Sequence, residues 1–172
     1  QPIKRVVDQY MDRVLLMSGS TDATSGLSTG LPSLDKILDG LQRSDFLIVA
    51  GRPGMGKSGF LIGIAKHVGL ELKRSVAVFT LEMSAEQLLQ RMLAMETDID
   101  SQKLRSARLS DSEQELAQHA MTILSDARIY IDDTPAITPL QMRTKCTRLQ
   151  MEEGLDLVIV DYLQLMAGDL RT

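Results

Sequence analysis

The chain has 172 residues, enough for one domain with its own core and too few for two domains of ordinary size. It is 44% hydrophobic and 24% charged, as is typical of soluble globular proteins. Its net charge of −4 argues against a protein that coats nucleic acid through its whole surface, so any contact with nucleic acid must be through a local basic groove. Cys146 is the only cysteine, which excludes an intramolecular disulfide, and no apolar run approaches the ~20 residues that cross a bilayer, so we expect an intracellular protein without a membrane span.

The first segment, residues 1–17, carries apolar side chains at steps of three and four, which predicts an amphipathic helix. These side chains are Ile3, Val6, Val7, Tyr10, Met11, Val14 and Leu15. Residues 18–26 are small and polar and include two glycines, which predicts a flexible tether. The apolar stripe needs a partner, and the residue pattern leaves open whether that partner is the chain's own domain or a neighbouring chain.

Beyond the tether, residues 27–172 alternate between strand and helix patterns. The apolar run Phe46–Ala50 predicts a first strand, a helix is expected from Lys57 to about Leu70, and Ser75–Thr80 predicts a second strand. A short strand is expected over residues 128–132 and a further buried strand over Leu157–Val160.

Three capping-box patterns mark helix starts within this segment. They are Ser84 with Gln87, Ser110 with Glu113, and Thr138 with Gln141. Because the strands are separated by segments of helical length, we predict an α/β fold. It has an open, mostly parallel sheet with helices on both faces.

The pattern G-x-x-x-x-G-K-[ST] of a phosphate-binding loop follows directly on the first predicted strand. It is filled in every position by Gly51-Arg52-Pro53-Gly54-Met55-Gly56-Lys57-Ser58. Such a loop binds polyphosphate through backbone N–H groups, a lysine and the positive end of the following helix. Gly54 and Gly56 permit torsions that a Cβ would hinder, Lys57 should reach the β- and γ-phosphates, and Ser58 should ligate Mg²⁺. We therefore expect ATP or another NTP with Mg²⁺.

Three polar residues near predicted strand ends complete the candidate site. Asp161 ends an apolar strand, as a Walker B aspartate does, and is expected to hold Mg²⁺ together with Ser58. Glu82 follows another strand at the same sheet edge, where it can polarise the attacking water or, alternatively, support the next helix through its charge. Gln164 can contact the γ-phosphate or can be an ordinary satisfied polar group.

Four strings in matching order resemble the DnaB replicative helicase family, namely Gly51–Ser58, Phe79–Ser84, Ile131–Pro135 and Asp156–Met166. The similarity is to its C-terminal, RecA-like motor domain and runs from about Gly26 to Met166. It implies that Glu82 is the general base, and that the motor is a homohexameric ring which hydrolyses NTP between subunits, moves on single-stranded DNA and unwinds duplex. It also implies a primase and a helicase loader as partners, a cytoplasmic location at the replication fork, and a linker helix at residues 1–17 that packs on a neighbouring subunit.

The same resemblance implies a longer parent protein, because the motor domain of the family continues past its Walker B strand. We expect further strands, the DNA-contacting loops and the arginine that reaches a neighbour's site beyond Thr172, and we expect the free fragment not to unwind DNA. The alternative is a RecA-, RadA- or KaiC-like ATPase in which nucleotide controls assembly rather than unwinding. A nucleotide-gated scaffold without turnover is the third hypothesis.

Overall fold

The computed structural model describes residues 2–17 and 25–166. The chain divides into two compact units, Gln1–Leu47 and Ile48–Thr172. Residues 18–24 of the predicted tether lie outside the described residues. The predicted domain boundaries therefore stay predictions.

The first unit contains helix α1, Ile3–Met17, and the short helix α2, Pro32–Leu38. The buried carboxylate of Asp35 organises the segment around α2. It accepts hydrogen bonds from the Thr29 amide at 2.8 Å, the Thr29 hydroxyl at 2.7 Å and the Ser28 hydroxyl at 2.6 Å. A carboxylate with several donors is a favourable buried group, so Asp35 holds the chain that enters α2.

The second unit is built on three parallel strands in the order β2-β1-β3. In chain order its elements are α3 Lys57–Lys66 with a π-helical turn His67–Glu71, β1 Val76–Thr80, α4 Ala85–Thr97, α5 Ser101–Ser106, α6 Asp111–Ser125, β2 Ile129–Asp132, α7 Pro139–Glu152, β3 Leu157–Asp161 and a 3₁₀ turn Leu163–Leu165. Parallel neighbours require crossover connections, which α4–α6 and α7 provide. The predicted parallel α/β fold is confirmed.

Helices cover both faces of this sheet. On one face Ala77 and Phe79 are buried with Ile137 and are covered by residues of α7, including Cys146. On the other face the end of the α3 segment lies so close that a Cβ added at Gly69 would be 2.3 Å from Cγ1 of Ile129. Glycine at this position therefore lets the helical segment approach the sheet.

The predicted strand Phe46–Ala50 is wrong, because these residues adopt no regular secondary structure and pair with no described strand. Phe46 is 78% exposed and Ile48 71% exposed. An apolar run forms a strand only where a neighbour supplies backbone hydrogen bonds, and none of the three described strands pairs with these residues. β3 itself is less buried than predicted, since Val158 is 41% exposed.

All three predicted capping boxes are confirmed. The side chains of Ser84, Ser110 and Thr138 accept from the backbone of the third helical residue, and that residue's side chain accepts from the cap amide in return. Across the described ranges, no helix has the length and apolar character that crossing a membrane requires.

Candidate functional site

The glycine-rich loop leads into the N-terminus of α3. Gly54 and Gly56 have φ angles of +79° and +83°, and Gly56 is the N-cap of the helix. A Cβ at either position would meet nothing within 4 Å, so the requirement for glycine is torsional. The expectation of special backbone torsions at these two glycines is confirmed.

Lys57 and Ser58 are the first two residues of α3. The Lys57 Nζ donates to the carbonyl oxygen of Gly51 at 2.9 Å, so the ammonium lies across the loop. Within the described residues, the amides of Gly56, Lys57 and Ser58 have no hydrogen-bond partner, and the first turn of α3 carries no acidic side chain. This end of the helix therefore presents backbone donors and positive charge without an internal counter-charge.

An open cavity of about 580 Å³ lies beside the loop. It is lined by Val49, Ala50, Gly51, Arg52, Met55, Gly56, Lys57 and Phe60. Its volume lies within the range of small-molecule sites, and it combines an ammonium and backbone groups with apolar side chains. The loop from Gly51 to Gly56, which includes Pro53, is exposed, so a ligand can reach it from solvent.

Asp161 and Glu82 lie at the carboxyl ends of neighbouring strands. Asp161 ends β3 and is in register with Thr80, the last residue of β1. Glu82 lies two residues after Thr80 and is exposed. The amide of Leu81 donates to the Asp161 carbonyl oxygen at 2.8 Å, which extends the strand pairing by one bond. Both residues thus lie at the carboxyl ends of adjacent parallel strands, at one edge of the sheet.

Asp161 as a residue is 8% exposed, and its carboxylate forms no hydrogen bond or ion pair within the part of the chain that the structure describes. No cluster of three or more His, Cys, Asp or Glu residues capable of holding a metal occurs there either. Mg²⁺ needs only one or two protein oxygens when it keeps waters and binds substrate phosphates. The hydroxyl of Ser58 and the carboxylate of Asp161 are oxygen donors that fit Mg²⁺ bound with a nucleotide.

The turn that carries Glu82 is closed by Thr80, which the sequence does not single out. The Thr80 hydroxyl donates to the Met83 carbonyl oxygen at 2.8 Å and accepts from the Met83 amide at 3.3 Å. A threonine at a strand end is ordinary in sequence. Its contacts become apparent only when the strand and the turn are both known.

Asp133, on the loop after β2, is a second residue that sequence reasoning missed. Its carboxylate accepts from the amide of Ala85 at 3.0 Å, at the N-terminus of α4. The neighbouring Asp132 forms an ion pair with Lys145 of α7. Burial pushes the pKa of Asp132 upward, but hydrogen bonds from Lys145 and Thr134 outweigh it and hold that pKa below its usual value.

Gln164 lies in the 3₁₀ turn after β3, with an exposed side chain. It therefore follows Asp161 in the turn beyond the carboxyl end of β3. Cys146 is half-buried against the core, and burial raises the pKa of its thiol, with Asp132 adding to the effect. A raised pKa lowers the reactivity of this thiol, and its contacts with the core make Cys146 a packing residue.

The family model described as "DnaB-like helicase C terminal domain" matches residues 26–172. The chain belongs to the DnaB-like helicase C-terminal domain family. The resemblance inferred from the four sequence strings is thereby confirmed.

Curated relatives of this DnaB-like chain are named as replicative DNA helicases. DnaB of Geobacillus stearothermophilus is 42% identical over 170 residues, which are 99% of this chain and 37% of the relative. DnaC of Bacillus subtilis (strain 168) is 42% identical over 172 residues, covering 100% of this chain and 38% of the relative. DnaB of Nostoc sp. is 50% identical over 148 residues, covering 85% of this chain and 17% of the relative. The DnaB-like chain thus spans well under half the length of these relatives.

Two solved structures share the fold of the DnaB-like chain. One is described as the ATPase domain of G40P, with a TM-score of 0.87 and 24% identity over 100% of this chain and 61% of that chain. The other is a DnaB-like replicative helicase studied for its interactions with primase, with a TM-score of 0.82 and 24% identity over 100% of this chain and 41% of that chain. At this level of identity the two structures support the RecA-like fold alone.

Proposed function

We propose that the chain is part of the motor domain of a replicative DNA helicase. This helicase hydrolyses ATP or another NTP to move along single-stranded DNA and to unwind duplex DNA. One observation carries the proposal: Lys57 and Ser58 begin a helix after a glycine-rich loop, and Asp161 and Glu82 lie at the carboxyl edge of adjacent parallel strands. Family membership supports the same reaction. Phosphoryl transfer needs positioning and charge stabilisation, for which these groups are suited.

In this proposal the loop binds the phosphates of the nucleotide. The unpaired amides at the start of α3 and the Lys57 ammonium contact phosphate oxygens, while Gly51–Gly56 wraps the chain around them. Ser58 and Asp161 hold Mg²⁺, which when bound neutralises charge on the phosphates. The carboxylate of Asp161 supports this role, because it has no hydrogen-bonding or ionic partner among the described residues and a bound cation would supply one.

Glu82 is proposed as the general base that activates the attacking water. Its carboxylate is exposed at the edge where Asp161 also lies, so water can reach it. A positioned general base contributes typically about 10²–10⁴-fold to the rate. Gln164 is proposed to contact the γ-phosphate from the turn after β3.

The proposed assembly is a homohexameric ring around single-stranded DNA, with nucleotide sites between subunits and α1 packed on a neighbour. The exposed apolar side chains of α1 support a contact with another chain. Primase and a helicase loader are proposed partners in the cytoplasm, as the family resemblance implies. The alternative, an ATPase whose nucleotide controls assembly alone, is not favoured, since the curated relatives are named replicative DNA helicases.

The proposal is tested with Glu82→Gln in the full-length gene product that carries this sequence. We expect ATP hydrolysis, measured with and without single-stranded DNA, to fall by about 10²-fold or more while ATP affinity is retained. The matched control is Glu86→Gln, the same change at an exposed carboxylate in the first turn of α4. This control should keep normal turnover.

Two results would contradict the proposal. Normal DNA-stimulated turnover of Glu82→Gln would remove the glutamate from catalysis. Hydrolysis by the unchanged protein that single-stranded DNA does not alter would argue against a DNA motor and for the assembly-controlled ATPase.

A further inference from the structure

The turn between β1 and α4 is fixed on both sides. Before it, β1 is the central strand and is paired along both edges. After it, Ser84 caps α4 through a complete capping box, and the Ala85 amide donates to Asp133 of a different loop. The three residues Leu81, Glu82 and Met83 therefore connect two anchored elements.

Within that turn, Thr80 makes the hydrogen bonds that determine the path of the backbone. Its hydroxyl bonds both polar backbone groups of Met83, at 2.8 Å and 3.3 Å, and it is 2% exposed. Among the described residues, Met83 has no other hydrogen-bond partner for these groups. The threonine hydroxyl therefore closes a ring around Leu81 and Glu82.

We propose that Thr80 is a positioning residue for Glu82. It holds the turn that carries the Glu82 carboxylate in one conformation. The inference rests on the proposed role of Glu82 as general base. The Glu82 side chain is exposed and has no described side-chain bond of its own, so the backbone turn is what aims it. In this proposal Thr80 acts only through the backbone of the turn.

The expected effect follows from the sensitivity of base catalysis to distance. A misplacement of about 1 Å at a catalytic group costs as much as about 10²-fold in rate. Thr80→Val preserves the shape of the side chain but leaves the Met83 amide and carbonyl without their partner. We expect kcat for ATP to fall roughly 10- to 100-fold and KM to change less than about twofold, because phosphate binding depends on the separate Gly51–Ser58 loop.

The chain offers a matched control at the other end of α4. The Thr97 hydroxyl donates to the Leu93 carbonyl oxygen at 2.7 Å and accepts from the Ile99 amide at 3.3 Å, and Thr97 is buried as Thr80 is. Thr97→Val thus removes a comparable pair of hydroxyl–backbone bonds at the end of α4 without touching the Glu82 turn. It should lower stability while leaving kcat unchanged.

The experiment compares ATP hydrolysis by the full-length gene product carrying Glu82→Gln, Thr80→Val, Thr80→Ser, Thr97→Val and the double change Thr80→Val with Glu82→Gln. We expect Thr80→Ser to retain the hydroxyl and nearly full kcat. The double variant should be no slower than Glu82→Gln alone, since Glu82→Gln has already removed the carboxylate that Thr80 positions. Nucleotide affinity, measured with a fluorescent ATP analogue, reports folding of the site, and Thr80→Ala replaces Thr80→Val if the latter does not fold.

Several outcomes would overturn the inference. Normal kcat in Thr80→Val with a slow Glu82→Gln would refute the positioning role and leave the proposed function standing. A double variant whose losses multiply, or a Thr97→Val variant as slow as Thr80→Val, would show that the hydroxyl acts on stability rather than on Glu82. Full turnover in Glu82→Gln would refute the proposed base and the positioning role together.

Discussion

At the scale of single residues, Lys57 has the clearest expected effect on nucleotide binding. Its ammonium already lies across the loop, donating to the Gly51 carbonyl oxygen at 2.9 Å. A hydrogen bond to a charged group contributes about 1.5–3 kcal/mol, so Lys57→Ala should weaken ATP binding by roughly 10- to 100-fold. Fluorescence anisotropy of a labelled ATP analogue measures this directly.

Lys66→Ala is the control for that experiment. Lys66 is the last residue of the same helix and forms an ion pair with Glu96, away from the loop. ATP affinity should be unchanged in this variant. Equal losses in both would mean that the general positive charge of the helix, rather than the Lys57 position, governs binding.

Residue-level prediction succeeded where the pattern is local. The loop glycines are recognisable because the phosphate-binding-loop motif occupies eight consecutive positions. Gly54 and Gly56 have the expected positive φ angles. Thr80 and Asp133 could not be found this way. Their contacts join a strand end to a turn and one loop to another helix, which only the tertiary structure defines.

At the scale of elements, α6 is the helix whose N-terminus is sensitive to acid. The pKa of Glu113 is lowered to about 2, mainly by a hydrogen bond from Lys103 and to a smaller extent by bonds from the Ser110 amide and hydroxyl. Because the folded pKa lies below the unfolded value of 4.5, the cap stabilises α6 above about pH 4.5 and loses this effect as pH falls toward 2. Hydrogen exchange should show the first turn of α6 losing protection over that range.

The other capping boxes provide an internal reference, because α4 and α7 use the amides of Gln87 and Gln141, which do not titrate. Their first turns should keep protection when that of α6 falls. Glu113→Gln should remove the difference, since glutamine can accept the same bond from the cap amide. A parallel loss at all three helices would indicate general acid unfolding instead.

Elements differ in how far sequence can predict them, and the reason is the range of their interactions. The three capping boxes involve residues three positions apart, and all three formed as expected. The run Phe46–Ala50 has the composition of a strand, yet a strand needs a partner from elsewhere in the chain and these residues have none among those described. Local sequence patterns therefore predict helix starts better than they predict strand pairing.

At the scale of the whole molecule, the exposed face of α1 calls for a partner. Ile3, Val6, Val7, Tyr10 and Met11 lie on one side of the helix and are between 45% and 76% exposed. Apolar side chains grouped on one helix face are typical of a contact with another protein surface. In the proposed ring the apolar face of α1 packs on a neighbouring copy of the chain. Both assembly of the ring and ATP hydrolysis should therefore depend on this face.

Val7→Lys tests this dependence, with Asp12→Lys as the control that introduces the same residue on the opposite, polar face of α1. Burying an unpaired ammonium in an apolar contact is unfavourable, so Val7→Lys should raise the protein concentration needed for half-assembly by roughly tenfold. Mass photometry across a dilution series measures that concentration, and DNA-stimulated ATP hydrolysis should fall in parallel. Since the proposed sites lie between subunits, assembly that weakens while hydrolysis per monomer stays constant would place the complete site within one chain. Unchanged assembly in Val7→Lys would instead remove α1 from the interface.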